Sequence, residues 1–115
     1  MPDSDCIFCK IVKGEIPSTI VYEDDQVIAF NDIDPQAPIH VVIIPKEHFE
    51  SILSVPAGNE IISHIHTVAN RIVLKLGIAD KGFRLVNNCG VDGGQTVPHL
   101  HYHLLGGRTM EWPPG

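Results

Sequence analysis

Three histidines stand at alternate positions in HLHYHLL, residues 99–105. Successive side chains of a β-strand point to opposite faces of a sheet, so this pattern predicts a strand with His99, His101 and His103 on one face and apolar residues on the other. A merely polar strand face would as readily carry serine, threonine or lysine. Imidazole can bind a metal, move a proton or attack an electrophile at neutral pH, so the repetition favours a chemical role.

One metal ion cannot use all three rings. At about 3.3 Å per residue, the Cα atoms of His99 and His103 lie about 13 Å apart, whereas each ligating nitrogen must lie about 2 Å from the ion. The histidines must therefore have separate roles. The central His101 is the candidate nucleophile toward phosphorus, because a backbone carbonyl on its Nδ1–H would leave Nε2 to attack, and His103 is the candidate donor to a phosphoryl oxygen or a leaving group.

A glycine-rich loop, GGQTV at residues 93–97, directly precedes the histidines. Its two glycines permit backbone conformations that turn successive N–H groups toward an anion, and Thr96 adds a hydroxyl. Asn88, at the end of the preceding predicted strand, can donate to the same oxygens. A plain hairpin turn is the alternative, but a phosphoryl group beside the histidines would need such donors.

A second candidate site is the C-x-x-C pair formed by Cys6 and Cys9. Thiolates at this spacing can share one zinc ion, and His48 or His99, or both, could complete a Cys2His2 tetrahedron. A redox dithiol and two packed core cysteines are alternatives that the spacing leaves open. Cys89 is expected to pack rather than to bind metal.

The rest of the chain predicts the elements that position these residues. Apolar residues recur at helical spacing from Asn59 to Leu76, followed by Gly77 as a C-terminal cap, so we expect one long helix with His64 on its solvated face. Because strands outnumber helices and adjoin through short turns, the fold class is α+β with an antiparallel sheet. The other predicted elements are a short helix or turn at 6–14 and strands at 19–23, 26–32, 40–45, 83–88 and 99–105.

Composition narrows the function further. The chain has 115 residues, enough for one domain with a single core. No apolar run approaches the roughly 20 residues that span a bilayer, and a net charge of −6 argues against nucleic-acid binding. An acidic, polar start and an odd number of cysteines favour the cytoplasm.

HLHYHLL resembles the signature of the histidine triad (HIT) family, and FNDIDPQAPIHVVIIPKEH, the GGQTV loop and the ending GGRTMEWPPG extend the similarity to its Hint branch. The resemblance covers essentially the whole chain, so residues 1–115 would form a single HIT domain. It implies a HIT-like fold, a five-stranded antiparallel sheet with one long and one short helix, whose sheets join across a two-fold homodimer. The tail, residues 106–115, would lie at the dimer interface, with Trp112 near the partner's active site.

The resemblance also implies a function, that of a purine nucleoside phosphoramidase which cleaves the P–N bond of an AMP-linked amine through a nucleotidyl-histidine intermediate. His101 matches the nucleophile, Asp32 the residue that binds the ribose hydroxyls, and Ile33 a residue of the nucleoside pocket. The catalytic residues implied are His40, Thr96, His101 and His103. The nucleotide-binding residues implied are Asp32, Ile33, Asn88, Gly94, Gln95, Thr96, Val97, His101, His103 and Trp112.

The two cysteines resemble those of zinc-binding bacterial members, which implies a structural zinc ion on Cys6, Cys9, His48 and His99, and no organic cofactor. Thr96 departs from the family pattern, since many Hint proteins carry serine there. Three other functions remain open: a dinucleoside polyphosphate hydrolase of the related Fhit branch, which the GGRTMEWPPG tail disfavours, a non-catalytic nucleotide-binding adaptor, and a zinc-stabilised interaction module.

Overall fold

The centre of the fold is a five-stranded antiparallel sheet. The computed structural model describes residues 5–115, so the acidic start of the chain lies outside it except for Asp5. The strands lie in the order β1-β2-β3-β5-β4, and every neighbouring pair is antiparallel. This confirms the predicted α+β class. The strands are β1 (Ile20–Glu23), β2 (Val27–Asn31), β3 (Ile39–Pro45), β4 (Phe83–Asn87) and β5 (Tyr102–Gly106).

Two α-helices accompany the sheet within residues 5–115: α1 (Ile7–Val12) and α2 (Ile61–Leu76). Helix α2 ends at Gly77, whose φ of 73° is the left-handed conformation expected of a C-terminal glycine cap. A 3₁₀ turn, Ile52–Ser54, lies between β3 and α2. Neither helix is long and apolar enough to cross a membrane.

The two faces of the sheet are covered differently. Helix α2 packs on one face and forms the larger core, in which Ile65, Val68 and Ile72 meet inward residues of β3 and β5. A smaller cluster on the other face joins Val42 and Ile44 of β3 to side chains of β2 and α1. Strand β3 is therefore buried on both sides, which explains its uninterrupted apolar run.

The histidine stretch is a regular strand only in its second half. Strand β5 begins at Tyr102, so the predicted strand over residues 99–105 is wrong for its first three residues. The His99 N–H donates to the Val97 carbonyl at 2.8 Å, and the Leu100 N–H donates to the Phe49 carbonyl at 2.7 Å. These two hydrogen bonds are made to loop residues and not to β3, so residues 99–101 are not paired with a neighbouring strand.

The expectation of a solvated His64 holds only in part, since its side chain is 26% exposed. Its Nε2 lies 2.7 Å from Oδ2 of Asp24, in the turn between β1 and β2. Arg71 donates to the Tyr22 hydroxyl at 3.0 Å. The polar face of α2 thus lies against the β1–β2 hairpin, where the helical pattern alone could not show a partner.

Asp24 organises this hairpin. Its Oδ1 accepts hydrogen bonds from the N–H groups of Gln26 and Val27, and its Oδ2 accepts one from the Tyr22 hydroxyl. Partial burial disfavours the ionised carboxylate, but these bonds and the contact with His64 outweigh burial and lower the pKa of Asp24 to about 2.

We expect Asp24→Ala to lower the free energy of unfolding by about 1–3 kcal/mol at pH 7, because the N–H groups of Gln26 and Val27 and the Tyr22 hydroxyl lose their acceptor. The folded pKa lies below the ordinary value of 3.8, so the stabilisation is present above pH 3.8 and is lost as the pH falls toward 2. Urea unfolding of wild type and variant at pH 7 and at about pH 2 measures the difference in the free energy of unfolding. Asp25→Ala, at the exposed neighbour, is the control, and equal losses in the two variants would contradict this role.

Candidate active site

His101 lies immediately before β5 and is 3% exposed. Its Nδ1 lies 2.7 Å from the carbonyl oxygen of His99. A carbonyl only accepts, so Nδ1 carries the proton and the lone pair is on Nε2. The ring of Phe8 stands edge-on to His101 at a centroid distance of 5.1 Å. The backbone carbonyl that the sequence analysis required for a nucleophilic Nε2 is therefore that of His99.

A second chain of contacts orients His103. The Gln36 N–H donates to Nδ1 of His40 at 3.0 Å, so the proton of a neutral His40 must be on Nε2. That Nε2 lies 2.8 Å from Nδ1 of His103. His103 is thereby the acceptor at Nδ1 and carries its own proton on Nε2, where it can donate to a ligand.

Asp32 is the acidic member of this group. Its Oδ2 lies 3.4 Å from Nε2 of His40, and its Oδ1 accepts the N–H of Asp34 at 2.8 Å. The carboxylate is half-buried and holds the turn that follows β2. The structure thus brings Asp32, His40 and His103 together, as expected for residues of one site.

Burial keeps both candidate catalytic rings neutral. It lowers the pKa of His101, against the opposing effects of the His99 carbonyl and the Asp32 charge. Burial, followed by repulsion from His101 and His40, lowers the pKa of His103 to about 4. At neutral pH, Nε2 of His101 can therefore attack and Nε2–H of His103 can donate.

A groove of about 570 Å³ opens beside His40 and His103. His40 and His103 line one side of it, together with Asn88 at the end of β4. Residues 108–111 and 113–115 of the same chain line the other side, and Arg84 fastens this tail by donating to the Glu111 carbonyl at 2.9 Å. Trp112 is 81% exposed. Its expected place near a partner's site concerns a second chain and stays a prediction.

The glycine-rich loop is held by its own hydrogen bonds. Gly94 N–H donates to the Val91 carbonyl, and Gln95 N–H donates to the Gly90 carbonyl. These two N–H groups therefore hold the loop itself, and the anion-binding role expected of the loop stays a prediction. A Cβ on Gly93 would lie 2.2 Å from the Cys89 carbonyl oxygen, so only glycine fits there.

The remaining predicted nucleotide residues lie apart from this groove. The Gln95 amide donates to the Glu50 carbonyl at 2.7 Å, so it clamps the loop. Thr96 and Val97 line a separate cavity of about 420 Å³. Ile33 is fully exposed on the turn after β2.

Four residues from distant parts of the chain form a candidate metal centre: Cys6, Cys9, His48 and His99, whose ligand atoms all lie within 4.8 Å of one another. Nδ1 of His48 lies 3.1 Å from Nδ1 of His99 and 3.2 Å from Sγ of Cys9. Nδ1 of His99 lies 3.3 Å from Sγ of Cys6. Sequence spacing left open whether His48, His99 or both join the cysteine pair, and the structure places both histidines in the cluster.

These distances fit the edges of one coordination tetrahedron. Zinc bonds of about 2.0–2.1 Å to nitrogen and 2.3 Å to sulfur give edges of about 3.4 Å between two nitrogens and about 3.6 Å between nitrogen and sulfur. Nε2 of His99 donates to the Pro45 carbonyl at 2.9 Å, which leaves the Nδ1 lone pair facing the cluster. Two thiols and two imidazoles are also the donor types that zinc prefers.

Sequence reasoning missed two contributors. Phe8 contacts His99 as well as His101, at centroid distances of 5.9 and 5.1 Å. Its place between Cys6 and Cys9 was the signal that could have drawn attention to it. The Gln36 N–H gave no signal, because a main-chain donor acts independently of residue type.

Comparison with known proteins gives consistent matches. The family model of the HIT domain matches residues 13–110. A 14 kDa zinc-binding protein of Zea mays is 48% identical over 119 residues, covering 100% of this chain and 91% of that protein. An adenylylsulfatase of Arabidopsis thaliana is 45% identical over 117 residues, covering 98% of this chain and 78% of that protein. A HIT family hydrolase from Legionella pneumophila superposes with a TM-score of 0.94 at 49% identity, covering 96% of this chain and 100% of that one.

The imidazole of His103 should stay neutral until the pH falls to about 4, because burial and two neighbouring rings disfavour its charge. Proton NMR titration of the ring signals measures the midpoint, and His103→Gln assigns the resonance by its loss. The unfolded ring titrates near 6.5, so stability should also fall as the pH drops from 6.5 toward 4. A midpoint at or above 6.5 would contradict the described environment.

Proposed function

The chain belongs to the HIT domain family, and we propose that it is a purine nucleoside 5′-phosphoramidase. The proposed reaction hydrolyses the P–N bond of an AMP-linked amine through a nucleotidyl intermediate on His101. The observation that carries this proposal is the 2.7 Å contact between Nδ1 of His101 and the His99 carbonyl, because it leaves a neutral Nε2 as the attacking atom.

The proposed cycle has two displacements at phosphorus. Nε2 of His101 forms a bond to the α-phosphorus while the P–N bond to the amine breaks, and Nε2–H of His103 donates to a phosphoryl oxygen or to the departing nitrogen. Water then attacks the same phosphorus, the bond to His101 breaks, and nucleoside monophosphate leaves. Over one catalytic cycle, water supplies a hydroxyl group to phosphorus and a proton to the amine.

The proposed nucleotide contacts rest on the groove and on the resemblance to the Hint branch. Asn88 and His103 would contact the α-phosphate, since they line the same groove. Asp32 would bind the ribose hydroxyls with Ile33 beside the base, and Trp112 would contact the nucleotide from a partner chain. Gly94 and Gln95 would shape the loop that presents Thr96 and Val97 to the substrate.

Two other reactions use the same attack on an α-phosphorus. An adenylyl sulfate, the substrate class in the name of the Arabidopsis relative, presents this phosphorus with a different leaving group. A dinucleoside polyphosphate, the substrate of the alternative Fhit-type activity, does so as well. We rank the phosphoramidate first because neutral His103 can serve a leaving nitrogen directly.

We also propose that Cys6, Cys9, His48 and His99 hold a structural zinc ion. A zinc ion there would supply cross-links between segments that are distant in sequence. The Zea mays relative, named as zinc-binding, and the tetrahedral edge distances support this proposal. The thiols it needs fit the cytoplasmic location expected from the sequence.

We further propose a homodimer that forms along the β4 edge of the sheet. Strand β4 pairs on one side with β5, and no strand within residues 5–115 pairs with its other side. An apolar side chain of this edge strand, that of Phe83, is exposed. A second copy adding its own β4 would cover this edge and extend the sheet, and sedimentation equilibrium measures the resulting mass.

His101→Ala should lower the turnover of adenosine 5′-phosphoramidate by about a thousandfold or more, because an alanine methyl group has no lone pair with which to attack phosphorus. AMP binding, measured by calorimetry, should persist. Asn70→Ala is the control, since this exposed residue lies on α2.

Unchanged turnover in His101→Ala would contradict the nucleophile assignment. Wild-type protein that binds AMP but turns over none of the three substrates would be a nucleotide-binding adaptor. A higher kcat/KM for diadenosine polyphosphate would instead assign the Fhit-type activity.

Purified protein should contain about one zinc ion per chain by elemental analysis, and chelation should lower Tm by several degrees, because a bound ion stabilises only the folded state. Cys9→Ser should lose the metal, whereas Cys89→Ser, outside the cluster, should keep it. Equal metal contents in the two variants would overturn the ligand assignment.

A further inference from the structure

We propose that the metal centre positions the nucleophile, so that metal occupancy sets kcat rather than stability alone. This inference rests on the proposed function for its kinetic part. Three sets of contacts carry it: one through the main chain of His99, one through the ring of Phe8, and one through the segment after β3. His99 and Phe8 are positioning residues, since both act through His101.

The first set of contacts passes through His99. Its Nδ1 lies within 3.1–3.5 Å of ligand atoms of the other three members of the cluster. Its Nε2 donates to the Pro45 carbonyl, and its own carbonyl accepts the Nδ1–H of His101 at 2.7 Å. A metal ion bound to the ring would hold the residue whose carbonyl selects the nucleophilic tautomer.

The second set of contacts passes through α1, which has only six residues. A helix of this length is unstable alone, so its placement depends on what fastens it to the sheet. Cys6 is the N-cap of α1 and Cys9 lies in its first turn, and Phe8 between them packs against the buried ring of His101. Thiolates held by metal would fix α1, and with it the wall that Phe8 forms against His101.

The segment after β3 also connects the metal cluster to the stretch that carries His101. His48 belongs to the cluster, and the next two residues support the catalytic stretch through their carbonyls. The Phe49 carbonyl accepts the Leu100 N–H at 2.7 Å, and the Glu50 carbonyl accepts the Gln95 amide at 2.7 Å. Loss of the metal would therefore loosen both flanks of His101 and the loop before it.

The test compares full-length wild-type protein in three states: loaded with one Zn²⁺ per chain, depleted by a chelator, and reloaded with Zn²⁺ alone. Long-range ¹H–¹⁵N spectra report the tautomer of His101, and circular dichroism reports the sheet. We expect a single Nδ1–H tautomer with zinc and a mixture of tautomers without it. We expect kcat to fall about tenfold or more on depletion, with a smaller change in KM, because misplacement of an attacking atom lowers the rate of the chemical step.

Reloading should restore both the tautomer and kcat. A depleted protein that keeps the sheet signal, a single Nδ1–H tautomer and a kcat within twofold of the loaded state would overturn the inference. Loaded protein that turns over no substrate would refute the proposed function alone, because the tautomer still reports the positioning.

If depletion unfolds the sheet, Phe8→Leu in zinc-loaded protein decides. This variant keeps all four ligands and should keep one zinc per chain, but its kcat should fall by about threefold or more, in line with the sensitivity of rate to placement. Ile7→Ala, on the exposed side of the same helix, is the matched control and should retain kcat. Equal kcat values in the two variants would then overturn the inference.

Discussion

One hydrogen bond determines what the site can do: the bond from Nδ1 of His101 to the carbonyl of His99. Without a fixed acceptor, a buried neutral imidazole exchanges between two tautomers, only one of which offers Nε2 as a base or nucleophile. The acceptor here is main chain, and it belongs to a residue whose ring lies in the cysteine–histidine cluster. The cluster and the nucleophile are therefore linked through two residues, His99 and His101, that stand two positions apart in the chain.

Much of the fold was predictable because local periodicity reflects burial. Helix α2 follows the apolar spacing up to its glycine cap, and β3 is apolar throughout because both of its faces are covered. The start of β5 was not predictable, because alternation describes the side on which a residue points but not whether a neighbouring strand is present. The partner of His64 was likewise invisible, since Asp24 is 40 residues away in the chain.

The candidate site, like the fold, was predictable from the sequence only in part. The geometric argument that three alternate histidines cannot share one ion agrees with the structure, where His99 lies in the cluster, His101 on a carbonyl, and His103 on His40. Spacing indicated the cysteine pair but left its histidine partners open, because 39 to 93 residues separate the contacting ligands. The side-chain amide of Gln95 donates to the carbonyls of Glu50 and Val97, a structural role that its place in the glycine-rich loop did not indicate.

The Gln36 N–H gives the histidine pair a direction. A backbone N–H can only donate, whereas each imidazole nitrogen can either donate or accept. The Gln36 N–H therefore fixes which nitrogens donate and which accept along the contacts from Gln36 through His40 to His103. This order is encoded in the path of the backbone and not in a side chain. Nineteen of the twenty amino acids at position 36 would preserve it, and only proline, which lacks the N–H, would erase it.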